Sequence, residues 1–402
     1  MITLSSFLHR EEIRALMTRW FLHDFQPGDP VCIKELVNYN SVCVRRVQDQ
    51  LAREMLPAVT GSDISSMPVR TKGRYKDLLI QYPERYGCHD LARARTLIRN
   101  YQEHPERFYR ETPFEGVIYR SLHEDIYVAT SRIKRVIRIA EKCSRIITNA
   151  ITAQIEREAQ TANRRPALST PERPAVPAAS EEPDQDALAR AEIRILNDVR
   201  AGCLNPLDGT LILNDIVGFK LLGGKETVAA LLDWVERRDD FVLVEHKVHR
   251  GVYSATHLIL CWALPRRQLS RLPLEPTIAK VLHCRGMNWD VESGLRQFIR
   301  SSESTLNFEV IIQTYEDALE SEIGLTMHEE RVIRQRSNQD HAMDVARNIT
   351  VLTKFLFFFA LSRRESLAGI PVKLWVRYMP ETTDQILFDL TDFPVGEIGL
   401  IP

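Results

Sequence analysis

Residues 211–264 read LILNDIVGFKLLGGKETVAALLDWVERRDDFVLVEHKVHRGVYSATHLILCWAL, and residues 307–314 read NFEVIIQT. The first stretch opens as a strand, Leu211–Leu222. In Gly224–Arg238, Val228, Leu231, Leu232 and Val235 recur at i, i+3, i+4 and i+7, which is one face of a helix. Phe241–His249 and Tyr253–Leu264 are rich in β-branched and aromatic residues and read as strands. Phe308–Thr314 reads as one more. Alternate strand residues share a face, so Tyr253 and His257 point one way, and Glu309 and Gln313 point together. A sheet of these strands places Asp215, Lys220, Tyr253, His257 and Glu309 where they can face one ligand. A polar face on otherwise apolar strands is informative, because burying polar groups is costly without a partner.

Strand–helix–strand–strand order makes the fold class α+β, with a mixed sheet. Outward from the sheet, Pro265–Asn307 reads as a mainly helical insertion that includes Thr277–Leu282 and Val291–Ile299. Tyr315–Leu325, Glu329–Arg347 and Ile349–Leu361 read as helices. Val372–Met379 and Gln385–Leu390 read as two closing strands.

Residues 1–158 read as a mostly helical N-terminal domain, with amphipathic stretches at Phe7–Phe21, Cys32–Met55 and Thr130–Glu158. The last has an isoleucine-rich stripe, with Arg132, Lys134, Arg135, Arg138, Lys142 and Arg145 on its other faces. Arg70–Arg99 is also basic, with Tyr75, Tyr82 and Tyr86 interleaved. Each basic stretch is a solvated helix face or a surface for RNA or phosphate. Residues 159–186 are rich in Pro, Ala, Ser and Glu, lack aromatics and read as a disordered linker. Residues 187–402 then form the second, α/β domain.

The chain has 402 residues with 53 Lys+Arg against 54 Asp+Glu, a formal net charge of −1. That balance excludes strong global attraction to nucleic acid or membrane and leaves local patches. Seven cysteines stand singly, with no CxxC pair, so neither a zinc ribbon nor a redox motif is signalled. An odd cysteine count and the lack of a signal peptide point to a reducing, cytoplasmic setting. The longest apolar run, Phe355–Leu361, is far below the ~18 residues of a membrane span and reads as a buried helix.

The motifs over residues 205–325 resemble the synthetase domain of the RelA/SpoT family, nucleotide pyrophosphokinases that make the stringent-response alarmone (p)ppGpp. The family's first motif is Asp with Gly at +3 and Arg at +5; here it is Asp215, Gly218 and Lys220. The second is Gly-Tyr-x-Ser-x-His. Here Val252 parts Gly251 from Tyr253, and Tyr253-Ser-Ala-Thr-His257 keeps the Tyr–His spacing. The third is Glu-x-Gln-Ile-Arg-Thr; here Glu309-Val-Ile-Ile-Gln313-Thr314 keeps its ends. The resemblance implies a nucleotidyltransferase-like fold and transfer of pyrophosphate from ATP to the 3′-hydroxyl of a guanosine nucleotide (GDP or GTP) or an RNA 3′-end. It implies Mg²⁺ held by Asp215 and Glu309, Glu309 taking the hydroxyl proton, Tyr253 stacking on the base, Lys220 on phosphate, and His257 and Gln313 in the same pocket.

The family's ATP-side run, Arg-x-Lys-xxx-Ser-xxx-Lys, is expected about twenty residues before the Asp. That window holds Arg190, Arg194 and Arg200 without the pattern, and Arg70 and Lys72 are a distant alternative source of that charge. The alternative function is a catalytically inactive RelA/SpoT-like domain that senses nucleotide or binds protein or RNA through its basic N-terminal half. Assembly with further copies of the chain is left open.

Overall fold

A computed structural model describes residues 7–164, 185–207, 213–251, 253–325, 327–337 and 343–391. In chain order the elements are α1 (Arg10–Phe21), α2 (Asp29–Thr60), β1 (Ile64–Thr71), α3 (Lys72–Leu79), α4 (Leu91–Glu103), β2 (Pro113–Ser121), β3 (Tyr127–Ile133), α5 (Val136–Arg164), α6 (Gln185–Arg200), β4 (Val217–Leu222) and α7 (Lys225–Glu236). They continue with β5 (Phe241–His249), β6 (Ala255–Ala263), α8 (Arg266–Leu269), α9 (Pro276–Cys284), α10 (Val291–Ser301), β7 (Thr305–Gln313), α11 (Tyr315–Ile323), α12 (His328–Ser337), α13 (Asp344–Leu361) and α14 (Pro380–Thr391).

The seven strands form one sheet in the order β1-β2-β3-β4-β7-β6-β5. β4 and β7 run parallel, and every other neighbouring pair is antiparallel. The four strands expected from residues 211–314 lie in this sheet, with α7 against it. The fold is therefore mixed α+β.

Period-two alternation divides the sheet into two faces. One face carries Phe219 and Leu221 of β4, Leu258 and Leu260 of β6, and Phe308 and Val310 of β7, all in the main core. The long helix α13 packs against both α2 and α5 on that side, and α2 also contacts α7. Phe219 meets Phe308 edge-on at 6.2 Å, and Phe241 stacks on Trp262 at 5.6 Å. The run Phe355–Leu361 forms the end of α13, buried as expected through Ala360. A second core, built from α3, α4, α11 and the other face of β2, includes Tyr75, Phe114, Leu319 and Tyr315. The polar half of that second face is left between the two helical layers.

Local chemistry sets several boundaries. α2 begins with Pro at its first turn and ends at Gly61, whose φ of 68° suits the residue without a Cβ. Thr314 caps α11 by accepting from the Asp317 N–H at 3.2 Å, which fixes the turn from β7 into that helix.

Four expectations need correction. Residues 1–158 remain largely helical but contribute β1, β2 and β3, so one sheet runs through both halves of the chain. Thr130–Glu158 is the end of β3 followed by α5, not a single helix. The first strand of the opening stretch starts at Val217, and residues 208–212 lie outside the described residues. The tail holds no strand among the described residues. Residues 371–379 are irregular and 380–391 form α14, which begins at Pro380 and Glu381, both favoured in a first helical turn. Of the linker, 159–164 close α5 and 185–186 open α6, and the rest lies outside the described residues.

Candidate functional site

Two rows of cross-strand partners line the polar face. One row is Arg132, Gly218, Glu309 and Ile259, and the next is Thr130, Lys220, Ile311 and His257. Three of the expected site residues form a hydrogen-bonded chain there. Tyr253 Oη lies 3.0 Å from His257 Nε2, and His257 Nδ1 lies 3.1 Å from Glu309 Oε1. The tautomer that satisfies both contacts has Nδ1–H donating to the carboxylate while Nε2 accepts from the phenol. Burial raises the Tyr253 pKa, so the phenol keeps its proton.

Lys220 lies in the same cleft, held by Ser321 Oγ at 2.9 Å and Glu322 Oε1 at 3.2 Å. Lys72 reaches the other oxygen of Glu322 at 2.8 Å. Glu329 of α12 adds pairs to Lys72 at 3.3 Å and Lys76 at 3.5 Å. Burial works to raise the Glu322 pKa, but Lys72, Lys220 and Lys76 together hold it well below the usual carboxylate range. Burial lowers Lys220 and Lys76.

The cleft so formed encloses about 70 Å³. Four cations, Lys72, Arg132, Lys220 and Arg331, face two carboxylates, Glu309 and Glu322. Arg132 has no ion pair among the described residues. Arg331 of α12 lies over the Tyr253 ring, 4.4 Å from its centre, and its buried Nε has no hydrogen-bond partner among the described residues. Burial, with Arg132 and Lys72 nearby, pushes the His328 imidazole down to about 3, so it is neutral near pH 7. This excess of positive charge suits an anionic ligand.

A second cleft of about 670 Å³ adjoins the first and shares Lys72, Phe114, Arg132 and His328 with it. Its size is that of a small-molecule site. Lys134 follows β3, and its backbone N–H donates to Ile216 O at 2.8 Å, which brings the approach to β4 alongside. Asp215 is thereby placed between two ammonium groups. Lys134 Nζ contacts one carboxylate oxygen, and Lys142 Nζ lies 2.8 Å from both. Arg138, Lys142 and Arg145 recur at i, i+4 and i+7 on α5 and line the cleft together, with Lys354 of α13 opposite. Burial works to raise Asp215, but the two lysines outweigh it and hold the acid well below its ordinary range. Burial takes Lys134 down to about 8 despite Asp215.

The structure thus joins Tyr253, Glu309 and Lys220 in one cleft, with His257 bonded to both Tyr253 and Glu309, and puts Asp215 in the other. Gln313 lines neither. Its Nε2 donates to Ser254 O at 2.9 Å, so it anchors the turn that carries Tyr253. The sequence reading placed Arg132 and Lys142 only in a general basic surface for RNA or phosphate, and it gave no role to Glu322 and Arg331. One signal was present. Arg132-Ile-Lys134 followed by Arg138 and Lys142 has the spacing Arg-x-Lys-xxx-Ser-xxx-Lys, with Arg138 where Ser is expected. It lies far upstream of residues 190–200, and the sheet returns it to Asp215.

Asp215 and Glu309 are hard oxygen donors of the kind Mg²⁺ accepts beside substrate phosphates. Among the described residues no group of three His, Cys, Asp or Glu side chains converges to hold a metal on protein ligands alone. No described helix is long and apolar enough to cross a membrane. In comparisons with protein-family models, curated proteins and solved structures, nothing matches the chain.

Proposed function

We propose that this chain is a RelA/SpoT-like pyrophosphokinase that uses ATP as donor and a guanosine nucleotide, or an RNA 3′-end, as acceptor. The observation that carries this reading is the Arg132–Lys142 run lying on Asp215, one strand away from the Tyr253–His257–Glu309 chain. The first array has the charge and volume for a triphosphate, and the second offers a base-stacking ring and a carboxylate.

In this reading Lys134, Arg138 and Lys142 hold the donor phosphates, and Arg132, which lines both clefts, lies between donor and acceptor. The acceptor base stacks on Tyr253. The acceptor 3′-hydroxyl oxygen forms a bond to the β-phosphorus of ATP, the bond from that phosphorus to the α–β bridging oxygen breaks, and AMP leaves. Glu309 takes the hydroxyl proton, with His257 Nδ1–H orienting its other oxygen. Mg²⁺ held by Asp215 and Glu309 would neutralise charge on the phosphates. Phosphates that draw Lys134 and Lys142 onto themselves leave Asp215 free for that role.

The test is transfer of label from ATP to GDP, GTP or RNA 3′-ends with and without Mg²⁺. A second reading, a nucleotide sensor without catalysis, draws on Asp215 being neutralised by two lysines and on the Tyr253 ring being covered by Arg331. Nucleotide binding with no transfer to any acceptor would favour it.

A further inference from the structure

β5 is the last strand of the sheet and, among the described residues, pairs only with β6, so its outer edge presents backbone groups that no described strand takes up. Its side chains are open as well. Val242 is 61% exposed, and Val244 and Val248 are each 52% exposed. Glu245 and Lys247 are exposed and make no ion pair among the described residues. A strand this apolar and this uncovered is a template for another strand.

We propose that β5 is a self-pairing interface, through which two copies of the chain join their sheets edge to edge, antiparallel, about a two-fold axis at His246. The strand's own sequence selects the occupant and the register. With the axis at His246, Glu245 of each copy stands opposite Lys247 of the other, and Val248 opposite Val244. By symmetry the ion pair and the apolar pair each occur twice. An axis at Glu245 sets two carboxylates against each other, and an axis at Lys247 sets two ammonium groups together. Opposite charges across an antiparallel pair stabilise it, and like charges destabilise it. A closed two-fold contact also uses up the β5 edge of both copies, so association through this strand stops at two. The β-bulge at Val244 ends the regular edge and confines pairing to Val244–Val248. The association is therefore concentration-dependent rather than obligate.

The experiment is sedimentation equilibrium on the full chain over a concentration series. Wild type should approach twice the mass of one chain at the upper end. Glu245→Lys and Lys247→Glu should each raise the dimer dissociation constant about tenfold or more, because each replaces two attractions with two repulsions. The double variant E245K/K247E restores the pairing with its charges exchanged and should regain wild-type association. Both residues are exposed, so circular dichroism and melting temperature should stay unchanged in all three. Wild type that remains monomeric throughout overturns the proposal and leaves the edge to a different protein. Dimers that survive either single reversal overturn it too, by placing the contact elsewhere.

Discussion

Lys142 Nζ lies 2.8 Å from both carboxylate oxygens of Asp215, although 73 residues separate the two along the chain. Between them come the rest of α5, a Pro- and Ala-rich segment and α6. β3 and β4 are hydrogen-bonded neighbours all the same, and Arg132 sits opposite Gly218. The cations of the larger cleft and the acid at the start of β4 are therefore sheet neighbours first and sequence neighbours not at all.

If the larger cleft takes ATP as proposed, Lys134 should make that binding depend on pH. Its pKa is down to about 8 in the folded protein, so the ammonium form dominates below pH 8 and is lost above it. Phosphates favour that ammonium form. ATP affinity should fall as pH rises from 7 to 9, with proton uptake on binding at the upper end. Calorimetry in buffers of different ionisation enthalpy measures both. Lys134→Arg stays charged throughout and should flatten the profile.

Glu322 joins Lys72 and Lys220 at the base of the smaller cleft. Removing one partner of a buried ion pair costs roughly 3–5 kcal/mol, because the remaining charges stay buried. Glu322→Gln should lower the unfolding free energy in urea by an amount of that order. Since the folded-state pKa of Glu322 is depressed, its stabilisation is complete above the ordinary glutamate value of about 4.3. It is lost as pH falls further. The gap between wild type and Glu322→Gln should therefore narrow in acid. A constant gap would mean the carboxylate's charge is not what stabilises this region.

The strands that were legible in the sequence share a cause. β4, β5, β6 and β7 are apolar, β-branched and set off by clear turns; of the candidate side chains they carry, His257 meets Glu309, and Lys220 lines the same cleft as Glu309. β1 was hidden because Pro68 and its serines resemble a loop, which an edge strand tolerates. β3 was hidden because its sequence runs into α5 without Gly or Pro, so a single helical period seemed to cover both. That error also concealed the Arg132–Lys142 run, since a helix would have carried Arg132 away from the sheet. Gln385–Leu390 is a short apolar run that reads as a strand, but it follows Pro380 and Glu381, and the helix start they make outweighs it. Arg331 could not be placed from sequence, because its contact with Tyr253 depends on how α12 crosses the cleft.

Arg331 covers the ring of Tyr253 on which the proposed acceptor base would stack. A cation over an aromatic face contributes about 0.5–2 kcal/mol. Arg331→Ala should expose the ring and tighten binding of a guanosine nucleotide, by about two- to thirtyfold if that energy is recovered in full. Tyr253→Ala should weaken binding by roughly 1–3 kcal/mol, and Tyr253→Phe should keep most of it because the ring does the stacking. Fluorescence titration with a labelled guanosine nucleotide measures all three. Weaker binding in Arg331→Ala would instead assign Arg331 to the ligand as a phosphate contact.

Glu309 separates the enzyme from the sensor. His257 donates to one of its carboxylate oxygens, which leaves the other for an acceptor hydroxyl. Glu309→Gln keeps an oxygen for His257 and keeps the shape, so thermal stability should change little. It removes the proton acceptor, and loss of a general base typically slows a reaction by about 10²–10⁴. Transfer from radiolabelled ATP should fall by that order while nucleotide binding persists. Asp215→Asn should also abolish transfer, with some loss of stability because Lys134 and Lys142 are left without their counter-charge. Full transfer by Glu309→Gln would keep the pocket and reassign the base. Wild type that binds nucleotide yet transfers nothing would move the chain to the sensing class, with the lysine-neutralised Asp215 as the physical reason.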